Sequence, residues 1–204
     1  MKILTEVEAE NFLEKEGFKV VKRKLTKNYK EAENFAYKVS FPVVLKISSR
    51  NILHKTENNA LILNITKDTL KKSYQKLANK KEKILIQKQI PGESLIMGIK
   101  KDPTFKHTLL VGFGGVLTEL IKDTSLRITP INKKEAKEML EELKSHPLID
   151  GFRGKKLNKE KIIENLIKVS KLPEKYPNIK ELDINPLIVS EKEATIVDAR
   201  IIFE

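Results

Sequence analysis

The C-terminal stretch holds the densest set of side chains suited to a cation. Leu182-Asp183-Ile184-Asn185-Pro186 alternates apolar and oxygen-bearing residues, so Asp183 and Asn185 share one face of a strand. Leu187 to Val189 continues that strand, and Ile196-Val197-Asp198-Ala199-Arg200 returns. A turn at Glu191-Lys192, with residue 190 opposite 193, sets Asn185 opposite Asp198 and Asp183 opposite Arg200. Two Asp and one Asn clustered in an apolar hairpin are the hard oxygen donors that Mg²⁺ takes when phosphate oxygens complete its octahedron. A solvated sheet face with a single Asp-Arg pair is the plainer alternative, and Pro186 is the residue able to interrupt the register.

Lys46 lies inside the apolar run Val43-Val44-Leu45-Lys46-Ile47. Burying an ammonium is costly unless an anion meets it, so this lysine either points its charge at a phosphate or snorkels from a sheet edge. His54, in the polar stretch Ser48 to Glu57, is a nucleophile only if the fold makes it one; alone it reads as a surface histidine. His107 and His146, before Pro147, carry less. Gly112-Phe113-Gly114-Gly115 is the one glycine cluster. It offers backbone N–H groups to an anion or simply turns a hairpin. Glu119, Asp123 and Arg127 follow at four-residue steps and would share a strand face around one pocket, unless they form a surface charge ladder. Neither the phosphate loop Gly-x-x-x-x-Gly-Lys-Ser/Thr nor a dinucleotide fingerprint occurs, and no two histidines are spaced to hold zinc on a helix.

The elements that must position these residues follow from periodicity. Thr5 to Glu16 reads as a helix opened by a Thr5/Glu8 capping box and closed by Gly17. A short strand at Phe18 to Val21, a helix over Tyr29 to Val39, strands at Val43 to Ile47 and Leu61 to Ile65, a helix over Asp68 to Lys80 and a strand at Ile84 to Ile90 complete a first lobe, 1–90, ended by Pro91-Gly92. The second lobe, 91–204, opens with strands at Ser94 to Lys100 and His107 to Val111 joined through the Lys101 to Thr104 turn. Strands at Val116 to Ile121 and Leu126 to Thr129, helices over Asn132 to Lys144 and Asn158 to Leu172, and the closing hairpin follow. Strands and helices mix without strict alternation, which predicts two α+β lobes with largely antiparallel sheets.

With 204 residues the chain has room for one large or two small cores. Net charge is +12, yet only five of the forty basic residues are Arg, aromatics are 6% and Trp is absent. A sequence-reading nucleic-acid protein would spend Arg on bases and aromatics on stacking, so the lysines read as a soluble surface and a nucleic-acid partner is not expected. The absence of cysteine excludes thiolate metal sites and a thiol nucleophile. Apolar runs are strand-sized and no signal peptide is visible at the N-terminus, giving the expectation of a cytoplasmic protein without a membrane partner.

Taken in order, Phe41-Pro42-Val43-Val44-Leu45-Lys46-Ile47, His54-Lys55-Thr56, Gly112-Phe113-Gly114-Gly115 with Glu119, Asp123 and Arg127, Pro147-Leu148 through Gly151-Phe152-Arg153-Gly154, Glu181-Leu182-Asp183-Ile184-Asn185-Pro186-Leu187 and Val197-Asp198-Ala199-Arg200 resemble the β subunit of ADP-forming acyl-CoA synthetases, the acetate-CoA ligases. The resemblance runs nearly the whole chain. It implies an ATP-grasp fold, with two lobes gripping ATP or ADP and a hinge at Gln87, Lys88, Gln89 and Ile90 reading adenine by its backbone. It implies interconversion of acid, CoA and ATP with acyl-CoA, ADP and phosphate, shared with an α subunit that carries the CoA-binding and ligase domains. By the same resemblance Lys46 grips phosphates, Glu119 and Arg127 line the nucleotide site, Asp183, Asn185 and Asp198 hold Mg²⁺, and His54 carries the phosphoryl group transiently. Beside Glu93-Ser94, shifted relative to the usual Glu after the Pro-Gly turn, two positions depart from the family pattern: Asn59-Ala60 stands in place of a glycine pair, and Lys88 in place of an acidic residue. They motivate the alternative of a catalytically impaired ATP-grasp scaffold.

Overall fold

The capping pair predicted at Thr5 and Glu8 forms reciprocally: the Thr5 N–H donates to Glu8 Oε2 at 2.7 Å and the Glu8 N–H to Thr5 Oγ1 at 3.3 Å. It opens helix α1 (Glu6–Lys15), which follows the short strand β1 (Lys2–Ile3). The computed structural model describes residues 1–48, 60–79, 82–114, 123–151 and 156–204. Within them the chain divides into two units: Met1–Leu4, Ala9–Val20 and Pro91–Glu204 form the larger, and Thr5–Glu8 with Val21–Ile90 the smaller. The expected division at 90/91 therefore needs correction at the N-terminus. Lys2 and Ile3 pair with Phe203 and Ile202, and Ala9, Leu13 and Phe18 are buried in the core of the larger unit.

The smaller unit contains β2 (Arg23–Thr26), α2 (Tyr29–Val39), β3 (Val43–Ser48), β4 (Leu61–Ile65), α3 (Leu70–Ala78) and β5 (Lys83–Lys88). Its strands run in the order β2-β5-β3-β4, every neighbour antiparallel. Asn28 caps α2 by accepting from the Glu31 N–H at 3.0 Å. Val43, Leu45, Ile47, Ile84 and Ile86 turn one face of the sheet onto Ala32, Ala36, Leu70 and Leu77 of the two helices. Opposite residues share a face, so Val44 with Gln87 and Lys46 with Leu85 line the other side of the sheet. That face is buried as well, which makes the charge on Lys46 an energetic problem the fold must solve.

In the larger unit a sheet runs β1-β11-β9-β6-β7-β8, with β10 also on β9; its later members are β6 (Glu93–Asp102), β7 (Lys106–Phe113), β8 (Thr124–Ile128), β9 (Ile179–Val189), β10 (Ala194–Ile196) and β11 (Ala199–Phe203). Helices α4 (Lys133–Glu141), α5 (His146–Asp150) and α6 (Lys159–Lys175) complete it. Leu95, Met97, Ile99, Leu109, Val111, Leu182 and Ile184 are fully or almost fully buried in a core they share with Met139, Leu140, Leu166 and Val169. The antiparallel α+β architecture agrees with expectation. Three elements went unpredicted: β1, β2 and α5. Arg23-Lys24-Leu25-Thr26 has no apolar period, and only its pairing with β5 makes it a strand. Conversely, the strand expected at Phe18 to Val21 is a single parallel bridge, Val20 to Ile196. No helix among the described residues is long and apolar enough to cross a membrane.

Candidate functional site

The β9–β11 hairpin has the register its alternation predicted. Ala194 pairs with Val189, Ala199 with Ile184 and Arg200 with Asp183, while the Ser190 N–H closes the turn on Glu193 O at 2.8 Å. The Asn185 N–H donates to Asp198 O at 3.1 Å and the Val197 N–H to Pro186 O at 3.2 Å. Pro186 leaves this register unchanged, although the returning segment divides into β10 and β11 opposite Asn185 and Pro186. The irregularity falls on the other side, between Leu95 and Met97 of β6, where Pro186 has no N–H to give. Because Leu182, Ile184 and Leu187 face the core, Glu181, Asp183 and Asn185 line the opposite face with Arg200 across from Asp183.

Burial is the main cause that pushes the Asp183 carboxyl up to about 6; the Glu181 and Asp198 carboxylates add to it and Arg200 opposes it. Arg200 Nη1 stands 4.0 Å from Glu181 Oε1, and Arg200 Nε is buried without a hydrogen-bond partner among the described residues. Arg200 is thus the residue of this face that sequence reasoning placed opposite Asp183 but gave no role. Among the described residues no three Asp, Glu or His side chains lie together as a metal cluster, so a cation here depends on the amide oxygen of Asn185. The fit is chemical: carboxylate and amide oxygens on one face, whose mutual repulsion a divalent ion would relieve. Gly98 stands opposite Asp183 on β6, and a Cβ there would come within 2.7 Å of the Leu182 carbonyl oxygen. Glycine lets β6 approach at that point.

In the smaller unit Lys46 is 5% exposed, and its Nζ lies 2.8 Å from Glu6 Oε1. The burial expected for Lys46 is real; the anion that meets it here is a carboxylate from the first turn of α1. Glu6 had no signal in the sequence beyond standing next to a capping threonine.

At the expected hinge, Gln87 is buried on the same face as Val44. The Lys88 N–H donates to Lys22 O at 3.0 Å, and its ammonium to the Ser40 and Phe41 carbonyls at 2.9 and 3.1 Å, at the C-terminal end of α2. The Gln89 N–H donates to Pro42 O at 3.2 Å, and its amide pairs twice with Asn64, at 2.7 and 2.6 Å. Both side chains are therefore held by the unit's own backbone and side chains, and Ile90, half-buried, is the next residue along.

Of the pocket expected from Glu119, Asp123 and Arg127, the described residues include Asp123 and Arg127, which have separate partners. Asp123 precedes β8, and its buried carboxylate accepts the Lys144 and Ser145 N–H groups at 2.7 and 2.8 Å. Burial works to raise this carboxyl, but those donors hold it below the ordinary range. Arg127 instead forks onto Glu142, which also accepts from Ser125 Oγ at 2.5 Å. The two side chains serve separate partners because the helix α4 and the loop after it pack against β8. Gly112 is a strand residue paired with Ile96 and Thr124, not a turn; the Gly114 N–H donates to Ser94 O at 2.6 Å. His107 Nε2 lies 2.7 Å from Ile179 O, and His146 Nε2 2.8 Å from Asp150 Oδ2. His54 and Glu119 lie outside the described residues, as do Lys55, Thr56, Gly115 and Phe152 to Gly154.

The model of the ATP-grasp domain family matches residues 1–203. The β subunit of acetate–CoA ligase (ADP-forming) II of Pyrococcus furiosus is 37% identical, over 98% of this chain and 92% of its own. Acetate–CoA ligase (ADP-forming) I of Archaeoglobus fulgidus is 35% identical over 93% of this chain, which spans only 29% of it. Two structures of the dinucleotide forming acetyl-coenzyme A synthetase 1 of Ca. Korarchaeum cryptofilum match all of this chain. The complex with coenzyme A, Ca-AMPCP and HgCl⁺ is 36% identical with a TM-score of 0.93, covering 94% of that chain. The complex with coenzyme A and Mg-AMPPCP, its phosphohistidine segment pointing towards the nucleotide binding site, is 35% identical with a TM-score of 0.87, covering 93%. With a family model matched end to end and relatives above one-third identity over nearly its full length, this chain belongs to the ATP-grasp family, among the β subunits of ADP-forming acetate–CoA ligases.

Proposed function

We propose that this chain works as the ATP-binding subunit of an ADP-forming acyl-CoA synthetase, converting acid, CoA and ATP to acyl-CoA, ADP and phosphate together with an α subunit that carries the CoA-binding and ligase domains. The observation that carries the reading is the in-register face of β9 and β11, where Asp183 and Asn185 stand beside Asp198 with Arg200 across from Asp183. Asp183, Asn185 and Asp198 would hold Mg²⁺, whose charge when bound offsets that of the phosphates. Lys46 supplies a fixed positive charge to nucleotide phosphate, and Gln87 to Ile90 form the segment that borders the base. Glu119 keeps its role as a nucleotide-site residue. His54 takes the phosphoryl group: a P–N bond forms at an imidazole nitrogen as the P–O bond to ADP breaks, or the reverse, and the group then passes to the partner's site. The cytoplasm, where ATP and CoA are supplied, is the proposed setting.

The test is Mg-ATP binding by calorimetry, alone and with the cognate α subunit, followed by transfer from γ-labelled ATP. Binding, with acid-labile label retained on the wild type and lost in His54→Ala, is expected. No binding under either condition refutes the reading, and binding without label supports the turnover-deficient scaffold instead.

A further inference from the structure

The pair of Lys46 and Glu6 sits where two charges are expensive to keep. Their side chains are 6% and 4% exposed and 2.8 Å apart. A buried ion pair gains little over an apolar pair of the same volume, so stability alone gives weak reason for its presence. The structure also places Glu6 with care. It is the first residue of α1, directly after a threonine whose capping box with Glu8 fixes the start of the helix, and a carboxylate in a first turn is favoured by the helix dipole. Lys46 comes from β3, paired on both sides by β4 and β5, so its backbone is equally fixed. Two rigid elements thus bring one carboxylate to one ammonium.

We infer that Glu6 is the resident counter-anion of Lys46 and sets how tightly this subunit holds nucleotide phosphate. The inference rests on the proposed reading of Lys46 as a phosphate ligand. A phosphate oxygen bonded to the same ammonium would lie roughly 4.5 Å from the Glu6 carboxylate oxygen, close enough for the two anions to repel. Glu6 then plays two parts: it holds the ammonium in place before nucleotide arrives, and it weakens the grip on bound phosphate so that product leaves. It is a positioning residue, since it acts through Lys46.

Calorimetric titration of Mg-ATP and Mg-ADP into the full-length chain tests this with Glu6→Gln, which keeps an oxygen acceptor for Lys46 and removes the charge. Both Kd values should fall about tenfold, the size of one like charge removed at that range in a partly screened site; with the α subunit present, KM should fall while product release slows kcat. A merely structural role would lower the unfolding midpoint and leave Kd unchanged, and that result overturns the inference. So does an equal gain in Glu6→Gln/Lys46→Met, because the effect would then not run through Lys46. Should Glu6→Gln not fold, Glu6→Asp, which withdraws the charge by one methylene, should show a smaller gain of the same sign, and no gain overturns it. Wild-type protein that binds no nucleotide refutes the proposed function itself, whereas wild-type binding without a gain refutes only the role of Glu6.

Discussion

Replacing Asp183 by Asn should make the protein more stable and unable to use Mg²⁺. The carboxyl moves from its ordinary 3.8 up to about 6, chiefly because burial disfavours its charged form, with the Glu181 and Asp198 carboxylates adding to the effect. A shift of about two units corresponds to ~3 kcal/mol, which partial solvent screening of a half-buried group reduces to about 2 kcal/mol. The sign follows from proton binding. Between 3.8 and about 6 the folded state holds the proton more tightly than the unfolded chain, so the contribution is fully present below the lower value and lost as pH rises through the upper. At pH 7 the ionised wild type therefore bears the cost and the isosteric amide does not. For a chain of this size about 2 kcal/mol raises Tm by roughly 4 to 8 °C. Thermal melts of both proteins at pH 7.5 and 4.5 measure it. The gap should be largest at pH 7.5 and about a third of that at 4.5, where the unfolded chain is already mostly ionised, and saturating Mg²⁺ with nucleotide should raise the wild-type Tm but not that of the variant. A variant that melts at or below the wild type at pH 7.5, or a gap that ignores pH, would falsify this account of the acidic face.

Other consequences are as direct. Asp123→Ala removes the acceptor of two backbone N–H groups and should cost about 2 to 3 kcal/mol in urea unfolding. Since Asp123 is held below its ordinary range, its contribution is present above pH 3.8 and fades as pH falls through its lower folded value, so the deficit should narrow in acid. Glu142→Gln breaks the fork with Arg127, a pair open to solvent on one side, and should cost about 1 kcal/mol without altering Mg-ATP affinity; a change in affinity would return Arg127 to the nucleotide site. Gly98→Ala drives a Cβ against the Leu182 carbonyl oxygen, which as backbone has nowhere to go, so strands β6 and β9 must part. We expect a lower unfolding midpoint and weaker Mg²⁺-dependent stabilisation, and a variant that keeps both would show that the sheet yields at that point.

Much was legible before any coordinates, for physical reasons that are local. Side chains alternate across a strand, and a two-residue turn at Glu191-Lys192 fixes which residues face one another, so the placement of Asp183 opposite Arg200 followed from counting. The capping box at Thr5 and Glu8 and the helix Tyr29–Val39 are likewise decided within a few residues of themselves. What escaped is what depends on distant chain. Lys46 had to meet an anion, but only packing brought Glu6 to it across forty positions of sequence. Asp123 and Arg127 looked like one constellation because they lie four apart; their real partners, Ser145 and Glu142, arrive with a later helix and loop. Strand β2 and the N-terminal segment tell the same story, since the first is a strand only because β5 pairs with it, and the second joins the larger unit only because β11 offers it an edge. A sequence of this kind states which groups need a partner and which way they point, because periodicity and burial cost are properties of neighbours in the chain. Which partner answers is settled by the tertiary fold, because the free energy of a buried charge depends on every group that packing brings within a few ångströms.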